Sequence, residues 1–146
     1  MSVALATLTK MNRESLAWAT GLFDGEGCFH FTSSRRRRRD SEGRQKIEHS
    51  IQTRITQKDR EVLDRFQTAV GLGRVYGPYK STDGKPRIPW QFAAYGLEQT
   101  QAIIVMLWPW LGRLKRQQAL TVLAQAAAHP PKPLGRPRRM QPVDLF

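Results

Sequence analysis

Along this chain the apolar positions change period several times, and each change marks an element. From about Asn12 to Gly25, Leu16, Trp18, Ala19, Leu22 and Phe23 fall at helical spacing, with Asn12 placed as N-cap. From Cys28 to Ser34 the period drops to two. Phe29 and Phe31 point one way and His30 and Thr32 the other, which predicts a half-buried strand. Arg35 to Gln45, with five consecutive arginines and then Asp-Ser-Glu-Gly, reads as a solvated loop. Lys46 to Gln57 alternates again, with Ile47, Ile51 and Ile55 on one face and Glu48, Ser50, Gln52, Arg54 and Thr56 on the other.

Helical spacing returns from Lys58 to Val70 through Val62, Leu63, Phe66 and Val70, and Gly71 is placed to end it. Gly73 to Lys80 and Arg87 to Tyr95 predict a second strand pair around Ser-Thr-Asp-Gly-Lys-Pro, a turn composition. There Ile88, Trp90 and Phe92 face inward and Arg87, Gln91 and Ala93 outward. A third helix runs from about Glu98 to Trp108 and breaks near Pro109. A fourth, from Arg113 to Ala128, stops before Pro130-Pro131. The predicted fold is α+β, in the order helix-strand-strand-helix-strand-strand-helix. Its four-stranded antiparallel sheet has helices over one face and a polar, basic face left open.

Composition sharpens the meaning of that open face. Among 146 residues, 24 Lys and Arg stand against 12 Asp and Glu, a formal net charge of +12. Such an excess calls for a polyanionic partner, nucleic acid before an anionic membrane. No apolar run approaches the ~20 residues of a membrane span, so no membrane partner is expected. Cys28 is the single cysteine, which excludes an intrachain disulfide and a cysteine-rich zinc site. It places the chain in a reducing interior, most simply a cytoplasm. Arginine- and alanine-rich usage points to a GC-rich bacterium or its phage. An antiparallel ribbon is narrow enough for a DNA major groove, where base edges are distinguishable. His30, Thr32, Ser50, Gln52, Arg54, Arg74, Tyr76, Lys80, Arg87 and Gln91 carry the hydrogen-bonding chemistry for that contact. Arg35, Arg36, Arg37, Arg38 and Arg39 suit phosphates, positioning the protein without reading sequence.

The run Thr20-Gly21-Leu22-Phe23-Asp24-Gly25-Glu26-Gly27 holds two oddities. Ala17, Gly21 and Gly25 recur at four-residue spacing, so one helix face carries almost no side chain and a second helix backbone can approach it. Glu26 then sits at the negative end of the helix dipole, where a carboxylate needs a cation. A close helix seam with a carboxylate at its foot is the shape of a metal site shared by two halves of a molecule.

These eight residues resemble the last eight positions of the LAGLIDADG homing endonuclease signature. The likeness continues in Thr56-Gln57-Lys58, in Pro109-Trp110-Leu111 and in Leu114-Lys115-Arg116-Gln117-Gln118, and it covers about residues 12–128. On that resemblance Glu26 stands on the family's metal-binding acid, with the Gly25 backbone beside it, and would hold Mg²⁺. Gln57, Lys115 and Arg60 match polar positions around the attacking water and the scissile phosphate. Ala17, Gly21 and Gly25 lie where two signature helices pack. Two departures stand out: Glu26 replaces the more usual aspartate, and Thr20 a small alanine.

A single signature cannot supply both halves of an active site. The resemblance therefore implies a homodimer that cuts both strands of a long, roughly palindromic DNA duplex with Mg²⁺. Two other functions suit the same scaffold: an RNA-binding intron maturase and a non-catalytic DNA-binding regulator. Retention of Glu26 and Lys115 favours the nuclease. Residues 1–11 form an N-terminal extension, 12–128 the endonuclease domain, and 129–146 a basic, proline-rich, disordered tail. Within that tail Gly135-Arg136-Pro137-Arg138-Arg139 resembles the core of an AT-hook.

Overall fold

A computed structural model describes residues 12–39, 41–85 and 90–131, with side chains described throughout except at 36–39. The order is α1 (Arg13–Glu26), β1 (Gly27–Arg39), β2 (Gln45–Gln57), α2 (Arg60–Val70), β3 (Arg74–Tyr76), β4 (Trp90–Tyr95), α3 (Leu97–Leu107), a 3-10 turn (Trp108–Trp110) and α4 (Arg113–Ala128). The predicted α+β order is therefore found. The four strands form one antiparallel sheet in the spatial order β1-β2-β4-β3.

The helix boundaries follow local chemistry. Asn12 Oδ1 accepts from the Glu14 and Ser15 amides at 2.9 and 3.4 Å and starts α1. Asp59 Oδ1 accepts from the Glu61 amide at 2.9 Å and starts α2, and Gly71 ends that helix in the left-handed region at φ 71°.

The core lies between the sheet and the helices. Phe23, Phe66 and Phe92 are fully buried, as are Ile51, Ile55, Leu63, Ile103 and Leu107. The rings run in sequence from Phe29 through Phe23 and Phe66 to Phe92, with centroid separations of 4.6, 6.3 and 4.8 Å. Burying rings of this size supplies the largest single apolar contributions to folding. All four helices contact the sheet: α4 crosses β1 and β2, α3 lies on β2 and β4, and α2 on β2, β3 and β4. At the far end of α4, His129 closes the helix and stacks on His49 of β2 at 4.9 Å.

Three sequence expectations are corrected. The arginine run does not loop out: β1 continues through Arg35–Arg39, and Arg39 pairs with Gln45 after a register shift. Like charges side by side favour an extended backbone that alternates them across the ribbon. The strand expected over Gly73–Lys80 ends at Tyr76, because Gly77 turns the backbone to φ 134° and Pro78 has no N–H to donate. Ala93, expected on the exposed side, is 1% exposed. It sits between Arg54 and Arg74 in the ladder, and a single methyl group between two long neighbours is readily shielded from water. Residues 1–11 and 132–146, Arg87 and Ile88 lie outside the described residues, as does the AT-hook-like segment. No helix among the described residues is long and apolar enough to cross a membrane.

Candidate nucleic-acid interface and catalytic centre

The strand register sorts the polar residues into rows across the open face. Thr32 pairs with Ser50, their hydroxyls 2.6 Å apart. His30 aligns with Gln52 and Tyr95. Cys28 aligns with Arg54, Ala93 and Arg74, and Thr56 with Gln91 and Tyr76. Directly opposed residues of an antiparallel pair share a face. His30, Thr32, Ser50, Gln52, Arg54, Arg74, Tyr76 and Gln91 therefore stand together, as expected. Arg54 Nη2 donates to Gln91 Oε1 at 3.4 Å, which links neighbouring rows.

Two of the expected residues stand apart from these rows. Arg35 opposes Ile47, so it shares the face of Phe29 and Phe31 rather than that of His30. It lies beyond the helices and is exposed. Lys80 is exposed after β3 and belongs to no strand, so nothing in the sheet aligns it with the rows. Arg36 to Arg39 continue β1, and their side chains fall outside the described residues.

Tyr95 was missed from the sequence, although the alternation Gln91, Ala93, Tyr95 carries it. It packs edge-on to Tyr76 with centroids 6.0 Å apart. Burial, with the neighbouring Tyr76 and Tyr79, raises its hydroxyl pKa above the ordinary 10.0, against a lowering by Arg54. It therefore remains a neutral hydrogen-bond donor at physiological pH.

At one end of this face the chain termini of several elements meet. Gly27 opens β1 opposite Ile55, and Gln57 closes β2 opposite Trp90. Glu26, the last residue of α1, is exposed and has no hydrogen-bond or ion-pair partner among the described residues. A Cβ at Gly27 would overlap the Phe23 ring, so only glycine lets the chain pass from α1 into β1 over the core.

The start of α4 is fastened to this junction. Asp24 accepts from the Gly112 amide through both carboxylate oxygens, at 3.0 and 3.2 Å, capping α4 from across the chain. Lys115 Nζ donates to the Gly27 carbonyl. Gln118 Oε1 accepts from the Phe29 amide at 2.9 Å, while its Nε2 donates to Cys28 Sγ at 3.4 Å. Gln118 thus satisfies the first edge amide of β1. Its place in the Leu114–Gln118 segment was visible in the sequence, its task was not.

Arg60, first residue of α2, lies over the Trp90 ring at 4.8 Å and pairs with Asp64 at 3.4 Å. Glu26, Gln57, Arg60 and Lys115 therefore belong to elements that end or begin at the same edge of the sheet. An open cleft there is lined by Asp24, Gly112, Arg113, Leu114 and Lys115.

No three His, Cys, Asp or Glu side chains converge among the described residues. Of the two exposed carboxylates at this junction Asp24 is engaged by the Gly112 amide, which leaves Glu26 as the side chain that could hold a hard divalent cation. Among the described residues the face of α1 at Gly21 and Gly25 is open as well: a Cβ at either position would meet nothing within 4 Å.

A four-stranded open sheet is backed by helices, with a glycine-flanked acid at the foot of its first helix. The sequence profile of the LAGLIDADG endonuclease matches residues 19–105. The chain belongs to the LAGLIDADG endonuclease family.

Among solved structures it is similar to the homing endonuclease I-CvuI in complex with its target in the presence of Ca, at 27% identity and a TM-score of 0.55. That match covers 77% of this chain and 65% of that one. A second I-CvuI structure, with the I-CreI target uncleaved in the presence of Mg, matches at 27% identity and a TM-score of 0.52, over 77% and 68%. The homing endonuclease I-TnaI shares the fold at 20% identity and a TM-score of 0.56, over 75% and 69%. This chain thus spans about two thirds of the length of these proteins. No curated protein sequence matches it.

Proposed function

We propose that this protein is a homodimeric, Mg²⁺-dependent homing endonuclease of the cytoplasm. It hydrolyses both strands of a long, roughly palindromic DNA duplex. One observation carries the reading: among the described residues a free, exposed Glu26 stands at the foot of a helix whose glycine face has nothing against it, at one end of an open polar sheet. Gly21, in the interior of α1, costs about 1 kcal/mol relative to alanine with no packing among the described residues to justify it. A second copy of α1 against that face gives the glycines a purpose and brings two Glu26 carboxylates together. I-CvuI, in the same family, is seen with target DNA in the presence of Ca or Mg.

In this reading the open face lies along the major groove, with Arg54 and Arg74 suited to guanine edges and Gln52 and Gln91 to adenine. Glu26 and the Gly25 carbonyl would hold the metal, which when bound would supply an activated water and charge neutralisation at the phosphate. Gln57 would orient the attacking water by hydrogen bonding. The Lys115 ammonium, with two protons left after its bond to Gly27, and the Arg60 guanidinium stabilise the negative charge that develops on phosphorus oxygens.

The test is a cleavage selection from a library of palindromic duplexes, followed by assay of the winning site with and without Mg²⁺. Wild type should linearise a plasmid carrying that site. Glu26→Gln should bind it with unchanged affinity and cut it at least 100-fold more slowly (about two decades or more for loss of a charge-stabilising group). Full cleavage by Glu26→Gln sinks the assignment, and binding without any cleavage by wild type turns it toward a regulator.

A further inference from the structure

We propose that Trp90 is a positioning residue that holds Arg60 in place for the reaction, an inference that rests on the nuclease reading. Arg60 is the first residue of α2, one step after its Asp59 cap, and its side chain is 57% exposed. An arginine so placed would otherwise sample many rotamers, and fixing it at the moment of reaction would slow the chemistry.

Two contacts restrict it here. Its guanidinium carbon lies 4.8 Å from the centre of the Trp90 ring, and its Nε is 3.4 Å from Asp64 Oδ2. A guanidinium stacked on an aromatic face keeps its edge donors available. With Asp64 occupying Nε, the two terminal amino groups remain for a phosphate.

Trp90 is itself well anchored. It opens β4, is half-buried against the core, and pairs with Gln57 across the β2–β4 ladder. One indole therefore joins the strand end that presents Gln57 to the helix start that presents Arg60. The other tryptophans also carry arginines: Arg65 over Trp18, Arg116 over Trp108 and Arg13 over Trp110. None of those rings belongs to the ladder that holds Gln57. Arg116 Nη2 is moreover tied to the Trp108 carbonyl at 2.7 Å. Among the described residues the Trp90–Arg60 pair is thus the one set among the polar residues at this end of the sheet.

The experiment has a spectroscopic arm and a kinetic arm. In the ¹⁵N-labelled protein, the Arg60 Nε–H and Cδ protons should be shifted upfield by the indole ring current. Trp90→Leu should return them to ordinary arginine positions, and Trp90→Tyr should keep part of the shift. Unshifted Arg60 signals in the wild type overturn the proposal whether or not the protein cuts DNA.

Under single-turnover conditions Trp90→Leu should lower the cleavage rate about three- to tenfold, the range of a partly desolvated cation–π contact. DNA affinity measured without metal should hold within about twofold, since the sheet carries it. Trp90→Phe should recover most of the rate. In an Arg60→Ala background Trp90→Leu should cost nothing further. An unaltered rate, or an equal loss in both backgrounds, overturns the inference. If Trp90→Leu does not fold, Trp90→Met against Trp90→Phe makes the same comparison. A wild type that cleaves no duplex sinks the nuclease reading, while the ring-current arm still decides whether Trp90 holds Arg60.

Discussion

Substituting Gly21 separates the two forces that act on the outward face of α1. Glycine in a helix interior is about 0.8–1.0 kcal/mol less favourable than alanine. At Gly21 a new Cβ meets none of the described residues within 4 Å. The isolated protomer should therefore gain nearly the whole of that amount from Gly21→Ala. For a domain of this size the gain corresponds to about 3–5 °C in Tm. The dimer should respond in the opposite direction. If a second α1 lies against Gly21, the added methyl overpacks the seam by about 1–3 kcal/mol on each side, weakening self-association by about 30-fold or more. Gly21→Leu keeps the helix propensity and enlarges the obstruction, so it should leave only protomers.

The assay pairs thermal denaturation at dilute protein with sedimentation across a concentration series, because dimer stability depends on protomer concentration. A protomer that is stabilised and no longer dimerises supports the seam. A Gly21→Leu protein that still dimerises with wild-type affinity refutes it, and an unchanged Tm for Gly21→Ala refutes the open-face premise.

Two further outcomes follow from single contacts. Asp24→Ala removes the acceptor of the Gly112 amide and the negative charge at the start of α4. It should cost about 1–2 kcal/mol in urea denaturation, as helix-cap losses do, and Asp24→Asn about half of that. A loss under ~0.3 kcal/mol from Asp24→Ala would show that the cap is idle. For Tyr95, whose pKa is raised by burial and by Tyr76 and Tyr79, the unfolded chain releases the phenolic proton first as pH rises. Its contribution is then complete below the ordinary 10.0 and is lost as pH climbs through the higher folded value. The stability of wild type relative to Tyr95→Phe should therefore fall above pH 10, and parallel pH profiles would contradict the shift.

How much of the site was legible depended on how local its signals were. Glu26, Gly21 and Gly25 declare themselves within one helix, because glycines at four-residue spacing and a carboxylate at a helix end are unusual wherever the helix packs. Gln57 and Lys115 came from segments that resemble the family, and the fold brings both to the edge of the sheet where Glu26 stands. Asp24 and Gln118 could not be read this way. Their partners, Gly112 and Phe29, lie 88 and 89 positions away along the chain, and no periodicity links residues so far apart.

The sequence by itself determined the order of elements, the two faces of each strand, the charge and the single signature. Each of these follows from a period of two or 3.6, or from composition. Only the tertiary structure decided what depends on neighbours. The β1-β2-β4-β3 order placed Ala93 between two arginines and aligned Tyr95 with Gln52 and His30. Pairing of Arg39 with Gln45 drew the arginine run into β1. Stacking on Trp90 restricted where the Arg60 guanidinium can go. A side chain's face is written in its own strand, but what covers it is set by strands and helices that the chain reaches only on folding.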